Sequence, residues 1–144
     1  MKKAAGILIA SVILGWCPAV QAGDANGDFA RKIAGRGTIQ IRGWARLRGE
    51  LMIFDSTASR DGKVSFPHCI SGVFTNQAAI DLSFFDGKLV QVTGQIFKYD
   101  DLKLEDSPLL PRKTLAGSIV PNFCFGSNVL LIESLELSPQ SPTP

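Results

Sequence analysis

Three arginines and one tryptophan alternate along a short stretch of the chain: Arg42, Trp44, Arg46 and Arg48 occupy every second position. Side chains two residues apart lie on the same face of a strand, so this spacing predicts a basic ridge that contains an aromatic ring. Guanidinium groups bind phosphate or carboxylate through paired hydrogen bonds, and an indole ring stacks on bases or sugars. The ridge therefore predicts binding of an anionic or glycan-type ligand. The alternative is a solvated strand face on which an arginine stem covers Trp44.

Residues that would support catalysis are scarce. The single histidine, His68, precedes Cys69, and neighbouring residues on a strand point to opposite faces, which argues against a nucleophile pair. A metal site would need two further ligands, yet the sequence has no second histidine and no Cys-x-x-Cys motif. It also lacks a Gly-x-Ser-x-Gly motif and a phosphate-binding loop. We therefore predict a protein that is not an enzyme, with no catalytic residue, metal site or cofactor.

The first 22 residues have the pattern of a secretory signal. Two lysines precede an apolar segment at residues 4–16, and residues 20–22 (Val-Gln-Ala) supply the small side chains of a cleavage site. Trp16 is too bulky to precede an acylated Cys17, so we expect cleavage after Ala22 and no lipid anchor. The predicted location is periplasmic or secreted. Residues 23–35, which follow, are polar and glycine-rich and are predicted to be a flexible leader.

The charge balance argues against nucleic acid as a partner. The 144 residues include 15 basic and 13 acidic side chains, and without Lys2 and Lys3 of the predicted secretory signal there are 13 of each sign. Nucleic-acid-binding domains are usually strongly basic, and oligonucleotides are scarce outside the cytoplasm. We expect a glycan, an anionic polymer or an envelope protein as partner, and the oligomeric state stays open. Beyond the leader, no apolar stretch approaches the roughly 18 residues that cross a bilayer.

Two cysteines, Cys69 and Cys124, remain once the predicted secretory signal is removed, and in an oxidising compartment they are predicted to form a structural disulfide bond. The chain-entropy model assigns a cross-link over so long a loop roughly 4 kcal/mol of stability.

Alternation of apolar and polar residues predicts several strands. Residues 38–48 place Ile41, Gly43 and Ala45 on the face opposite the ridge, as expected for a half-buried strand. Further strands are predicted at residues 50–55, 64–74, 88–99 and 128–137, with a turn at 56–63, a short helix at 76–84 and a Pro-rich tail at 138–144.

This order of elements resembles the OB-fold, a five-stranded Greek-key barrel. The resemblance rests on Thr38–Leu47, on Gly87–Phe97 and on Val129–Leu135, with Gly43 and Gly94 where barrel strands bend. It implies an all-β domain at residues 36–137 with a small helix between strands three and four, and ligand binding on the outer faces of the early strands. An immunoglobulin-like sandwich is the alternative, although it needs about seven strands.

Residues 100–123 are too long for an ordinary connection between strands. They include a predicted short strand near 114–120 and the apolar sequence Pro108-Leu109-Leu110-Pro111. The two leucines are either a plug at one end of the barrel or a surface for a protein partner. The alternative function is therefore a structural or inhibitory subunit of the cell envelope that acts through this segment.

Overall fold

The computed structural model describes residues 25–62, 64–74, 80–105 and 112–139. The predicted secretory leader, the Leu109-Leu110 pair and the tail from residue 140 lie outside the described residues. Within the described ranges, no helix is long and apolar enough to cross a membrane.

The described residues form two α-helices, eight strands and two 3-10 turns. In chain order these are α1 (Ala25–Ile33), β1 (Gly37–Leu47), β2 (Leu51–Phe54), α2 (Thr57–Asp61), β3 (Cys69–Phe74), a 3-10 turn (Leu82–Phe85), β4 (Leu89–Lys98), a second 3-10 turn (Tyr99–Asp101), β5 (Lys103–Glu105), β6 (Arg112–Leu115), β7 (Ser118–Ile119) and β8 (Asn128–Leu137).

Five of the strands close into a barrel in the order β1-β2-β3-β8-β4, and β4 pairs back onto β1. All neighbouring strands are antiparallel except β3 and β8, which run parallel. This is the predicted all-β, OB-fold-like barrel. The immunoglobulin-like alternative is wrong, because these strands close one sheet on itself and do not form two stacked sheets.

Alternating burial along β1 and β4 explains how the barrel encloses its core. Ile41, Gly43 and Ala45 of β1 are buried on the inward face, as are Val90 and Val92 of β4, while the alternate positions between them are exposed or half-buried. The period of two seen in the sequence therefore describes these two strands correctly. In contrast, β2 and β3 are buried at every position, so their outer faces are also covered.

Two glycines allow the barrel to curve tightly. A Cβ on Gly43 would lie 2.5 Å from the carbonyl oxygen of Phe54 and 3.2 Å from the Phe29 ring. A Cβ on Gly94 would collide with the carbonyl oxygen of Leu131, at the point where the β4–β8 register shifts. Both positions are predicted bends, and close backbone approach is the physical reason for each.

The prediction of a flexible leader at 23–35 is wrong for residues 25–33, which form α1. Phe29 and Ile33 lie one helical turn apart, and both are buried in the barrel core. The side-chain amide of Asn128 donates to the carbonyl oxygen of Ile33 at 2.8 Å, satisfying a group at the end of the helix. The polar composition of this segment concealed an apolar pair at helical spacing.

The connections also differ from the sequence prediction. Of the helix expected at 76–84, residues 76–79 lie outside the described ranges, and the described remainder overlaps only the 3-10 turn Leu82–Phe85. The expected turn at 56–63 contains α2, whose first turn is capped by the Ser56 hydroxyl. The strand predicted from residue 64 begins at Cys69, five residues later.

A second, three-stranded sheet (β5, β6 and β7) lies against the barrel. It includes the strand predicted near 114–120, and Leu115 and Val120 pack with Val73 and Val129 of the barrel in a separate apolar cluster. The long connection is therefore partly structured and attached to the barrel by its own small core.

We predict that Gly94→Ala lowers the free energy of unfolding by about 2 to 3 kcal/mol, because the added methyl group meets backbone that cannot move away cheaply. Urea denaturation with the disulfide intact measures the loss. Gly87→Ala is the control: it has open space around its Cβ but a positive φ of 76°, and should cost only about 1 kcal/mol. Equal losses at the two positions would show that the close approach at residue 94 costs no more than the backbone strain at residue 87.

Candidate functional site

A buried carboxylate, Glu50, lies at the start of β2 with only 5% of its surface exposed. Its Oε1 accepts hydrogen bonds from the Ser71 hydroxyl at 2.6 Å and from the Phe123 backbone amide, and its Oε2 accepts from the Asn122 amide at 3.1 Å. The Ser71 hydroxyl in turn accepts from the Cys124 amide at 3.1 Å. A buried charge requires such donors, so Glu50 ties the barrel to the segment that contains these three amides.

We call that segment, residues 120–126, the aromatic loop. Asn122 and Phe125 have positive φ angles of 57° and 53°, which turn the chain sharply. The turn is closed by hydrogen bonds from the Phe125 amide to the Asn122 carbonyl (2.9 Å) and from the Asn122 side-chain amide to the Gly126 carbonyl (2.8 Å). The backbone of the loop is therefore fixed by its own contacts as well as by Glu50.

The predicted disulfide bond between Cys69 and Cys124 is present and joins the aromatic loop to β3. Both cysteines are buried and pack with Met52 and Phe54 in an apolar cluster outside the barrel. The Phe66 amide donates to the Cys124 carbonyl at 2.9 Å, so the segment before β3 is held in the same place. This cluster covers the outer face of β2 and of the start of β3, whereas Val73, near the end of β3, is covered by the cluster of the second sheet.

Trp44 of the predicted ridge is half-buried against this outer cluster. The guanidinium of Arg60, from α2, lies over its ring at 5.3 Å from the centroid. Arg60 also donates to both carboxylate oxygens of Asp61, at 2.7 and 3.1 Å, and to the Gly87 carbonyl at 2.8 Å. An arginine thus covers Trp44, which corresponds to the alternative interpretation of this residue.

The three arginines of the predicted ridge are not equivalent. Arg42 donates to the carbonyl oxygen of Pro139 at 2.6 Å, away from the outer cluster. Arg46 donates to the carbonyl oxygen of Arg60, which fixes one of its nitrogens. Arg48 is exposed, and its side chain makes no hydrogen bond or ion pair with the described residues. The arrangement brings Arg46 and Arg48 together and separates Arg42 from them.

A groove of about 670 Å³ opens beside Arg46 and Arg48. Its floor is apolar, with Met52, Phe54 and Val64, and the phenyl rings of Phe123 and Phe125 line one side. A Cβ on Gly49 would lie 3.4 Å from the Phe123 ring, so this ring lies against the β1–β2 turn next to Arg48. The full lining consists of Arg46, Arg48, Met52, Phe54, Arg60, Gly62, Val64, Ser65, Phe123 and Phe125.

The geometry suits a ligand with an anionic group and an apolar or ring-shaped body. The lining contains three guanidinium groups and no carboxylate, and Asp61, which pairs with Arg60, lies outside it. Guanidinium nitrogens form charge-assisted hydrogen bonds to phosphate, sulfate or carboxylate, while the phenyl rings and the apolar floor contact the rest of the molecule. The volume is within the usual range for small-molecule sites, roughly 300 to 1,000 Å³.

His68 and Cys69 do not act together. Cys69 is in the disulfide, and His68 Nδ1 lies 2.7 Å from Oδ2 of Asp55, a carboxylate with only 1% of its side chain exposed. Burial acts to raise the pKa of Asp55, but hydrogen bonds from Ser59 and His68 outweigh it and lower that pKa below the usual 3.8. The pair therefore joins the end of β2 to the segment before β3.

A second cavity, of about 740 Å³, lies between the end of α1 and the end of β4. Its charged lining is mixed, with Arg36 and Lys98 facing the same space as Asp100 and Asp101. Among the described residues, no three His, Cys, Asp or Glu side chains are close enough to hold a metal ion.

Four residues that shape the groove were not identified from the sequence: Glu50, Arg60, Phe123 and Phe125. Glu50 is the first residue of the strand predicted at 50–55, and nothing in the local sequence indicates that it is buried. One signal was available for the loop, because Phe123 and Phe125 flank Cys124 and must lie near β3 once the disulfide forms.

Comparison with known proteins gives no significant match to any protein-family model, curated protein or solved structure.

We predict that Glu50→Gln destabilises the fold by about 1 to 3 kcal/mol. The substitution places an amide donor where Oε2 accepts from Asn122, which leaves two buried donors facing each other. Chemical denaturation measures the change, and Glu136→Gln, on an exposed position of β8, is the matched control with no expected effect. If Glu50→Gln has the same free energy of unfolding as the wild type, the charge of Glu50 does not hold the loop.

The Asp55–His68 pair predicts a pH-dependent contribution to stability. Because the pKa of Asp55 is lowered in the folded state, the ionised carboxylate stabilises the fold above the usual value of 3.8, and the contribution is lost as the pH falls below it. Asp55→Asn should therefore melt below the wild type at neutral pH and together with it in strong acid. Asp101→Asn, at an exposed position, is the control. If Asp55→Asn still melts at a lower temperature than the wild type in strong acid, the effect comes from altered packing and not from ionisation of Asp55.

Proposed function

We propose that the chain is an exported, non-catalytic binding module that takes an anionic or glycan-type ligand in the groove beside Arg46 and Arg48. One observation carries this proposal: two arginines and two exposed phenyl rings line the same apolar-floored groove, and one of the arginines, Arg48, has no hydrogen bond or ion pair among the described residues. Arginine and aromatic residues are the types that dominate binding sites energetically. The proposal keeps the predicted ligand chemistry and moves the site along the ridge, from Arg42 and Trp44 toward the aromatic loop.

The chemistry of the groove favours binding over catalysis. Its titratable side chains are arginines, which stay protonated and do not exchange protons at ordinary pH. Ser65 is the hydroxyl on its lining, and His68 is engaged by Asp55. A groove of this composition holds an anion and shields part of it from water.

Export is part of the proposal and rests on the pattern of residues 1–22. The disulfide between Cys69 and Cys124 is compatible with a location outside the cytoplasm, where such bonds persist. Acidic glycans and anionic envelope polymers are the anions available there in quantity, which makes them the ligands we propose first.

A protein-interaction subunit is the second candidate, and one observation favours it. Leu104 of β5 and Ile119 of β7 are 59% and 42% exposed on the small sheet, which belongs to the segment predicted to contact a partner. Single exposed apolar residues are common on protein surfaces, so this observation is weaker than the groove.

We predict that Arg48→Glu reduces retention on dextran sulfate and heparin columns by about tenfold in apparent affinity or more, because a charge-assisted hydrogen bond is lost and a repulsive charge is introduced. The circular-dichroism spectrum should stay native, since the Arg48 side chain makes no hydrogen bond or ion pair with the described residues. Retention of the wild type should fall with added salt.

Arg42→Glu is the matched control: it makes the same change of charge on β1, the strand that directly precedes Arg48, but lies outside the groove. It should leave retention close to that of the wild type. If Arg42→Glu weakens retention as much as Arg48→Glu, binding depends on diffuse charge and the groove is not the site. If the wild type is retained on neither column, a soluble anionic polymer is rejected as the ligand.

A further inference from the structure

The aromatic loop presents two phenyl rings to solvent at the edge of the groove. Phe125 is 81% exposed and Phe123 is 47% exposed. These two exposed residues flank one cysteine and line one groove. Adjacent exposed aromatic rings are typical of surfaces that bind another molecule.

The exposure of Phe125 has no explanation within the folded chain. Its φ of 53° lies in the left-handed region, where a glycine or asparagine fits with less strain. The ring itself buries little surface, so it contributes little to the core. Residues that break local rules without a gain in packing are found mainly at functional sites.

The loop is also rigid in a way that favours insertion of its rings. Its backbone amides are held by Glu50 and Ser71, and its centre is attached to β3 by the disulfide at Cys124. A loop whose backbone is already ordered loses little conformational entropy when it binds another molecule or surface. The backbone positions from which the two rings project are therefore fixed before binding.

Positive charge lies beside the rings. Arg48 is adjacent to the turn on which the Phe123 ring lies, and Arg46 lines the same groove. At a membrane surface, aromatic rings enter the boundary between headgroups and acyl chains, while arginines remain at the level of the lipid phosphates. The same pairing gives affinity for anionic leaflets, whose negative potential attracts basic side chains.

We propose that the aromatic loop docks the protein on an anionic lipid surface, with Phe123 and Phe125 in the interfacial region and Arg48 on a lipid phosphate. This inference rests on the proposed function, since it names the anion as a lipid headgroup. A protruding pair of rings fits a bilayer better than a protein partner, because a bilayer accepts the rings without a matching pocket. Guanidinium groups are attracted to headgroups of net negative charge, and this attraction supplies the selectivity for anionic lipid over zwitterionic lipid.

The test is co-sedimentation of the protein with vesicles of phosphatidylcholine alone and of equimolar phosphatidylcholine and phosphatidylglycerol. We expect binding to the vesicles that contain phosphatidylglycerol and little binding to phosphatidylcholine alone. Phe125→Ser should weaken the partition by about tenfold, because the apolar transfer of one ring is lost. Arg48→Glu should weaken it comparably, and added salt should reduce wild-type binding.

Phe84→Ser is the control. Phe84 is 51% exposed, which is close to the exposure of Phe123, but it lies on the 3-10 turn before β4, outside the groove. It should bind vesicles like the wild type. Absence of wild-type binding, or equal binding by Phe125→Ser and the wild type, overturns the lipid inference. Equal weakening by Phe84→Ser and Phe125→Ser also overturns it, because a specific loop would then not be involved.

The dextran sulfate column separates this inference from the proposed function. Retention that depends on Arg48, without binding to vesicles, leaves the anion-binding groove in place and rejects the lipid surface. Binding to vesicles that depends on Phe125, without retention on the column, supports lipid docking and rejects the soluble polymer as ligand. Failure of both measurements rejects both.

Discussion

The burial of Glu50 is the constraint on which the outer surface of this barrel depends. A carboxylate with 5% of its surface exposed must collect hydrogen-bond donors, and here they come from Ser71 on β3 and from two backbone amides of the aromatic loop. The loop is more than seventy residues away in sequence, so the carboxylate brings distant parts of the chain together. Its contacts and the disulfide cover strand faces that would otherwise be open, and they create the groove at the boundary of the covered area.

The barrel itself was accessible from the sequence because its cause is local. Strict alternation in β1 and β4 comes from one face in the core and one in solvent, and the glycines at 43 and 94 stand where backbones approach closely. The disulfide followed from counting cysteines in a chain expected outside the cytoplasm. None of these inferences required knowledge of which strand lies next to which.

The parts that were missed depend on contacts between distant residues. Residues 25–33 look polar, and only the finished barrel provides the cavity that Phe29 and Ile33 fill. For Trp44 the sequence left two interpretations open, an exposed ridge or a ring covered by an arginine, and only the fold shows that α2 brings Arg60 over the ring and that the outer cluster packs against it. Both cases have one origin: a strand pattern shows that a face is polar or apolar, and it does not show what the connecting segments place on that face.

The same distinction explains how the site relates to the fold. The groups that position the aromatic loop are buried, and the groups offered to a ligand are exposed: Glu50, Ser71 and Cys124 hold the backbone, while Arg48 and Phe125 make few contacts with the rest of the chain. Stability and binding are therefore carried by different side chains on the same few elements. The loop backbone is rigid, and it presents exposed arginine and phenylalanine side chains. This arrangement favours binding, since the conformational entropy of ordering the loop is lost during folding and not during binding.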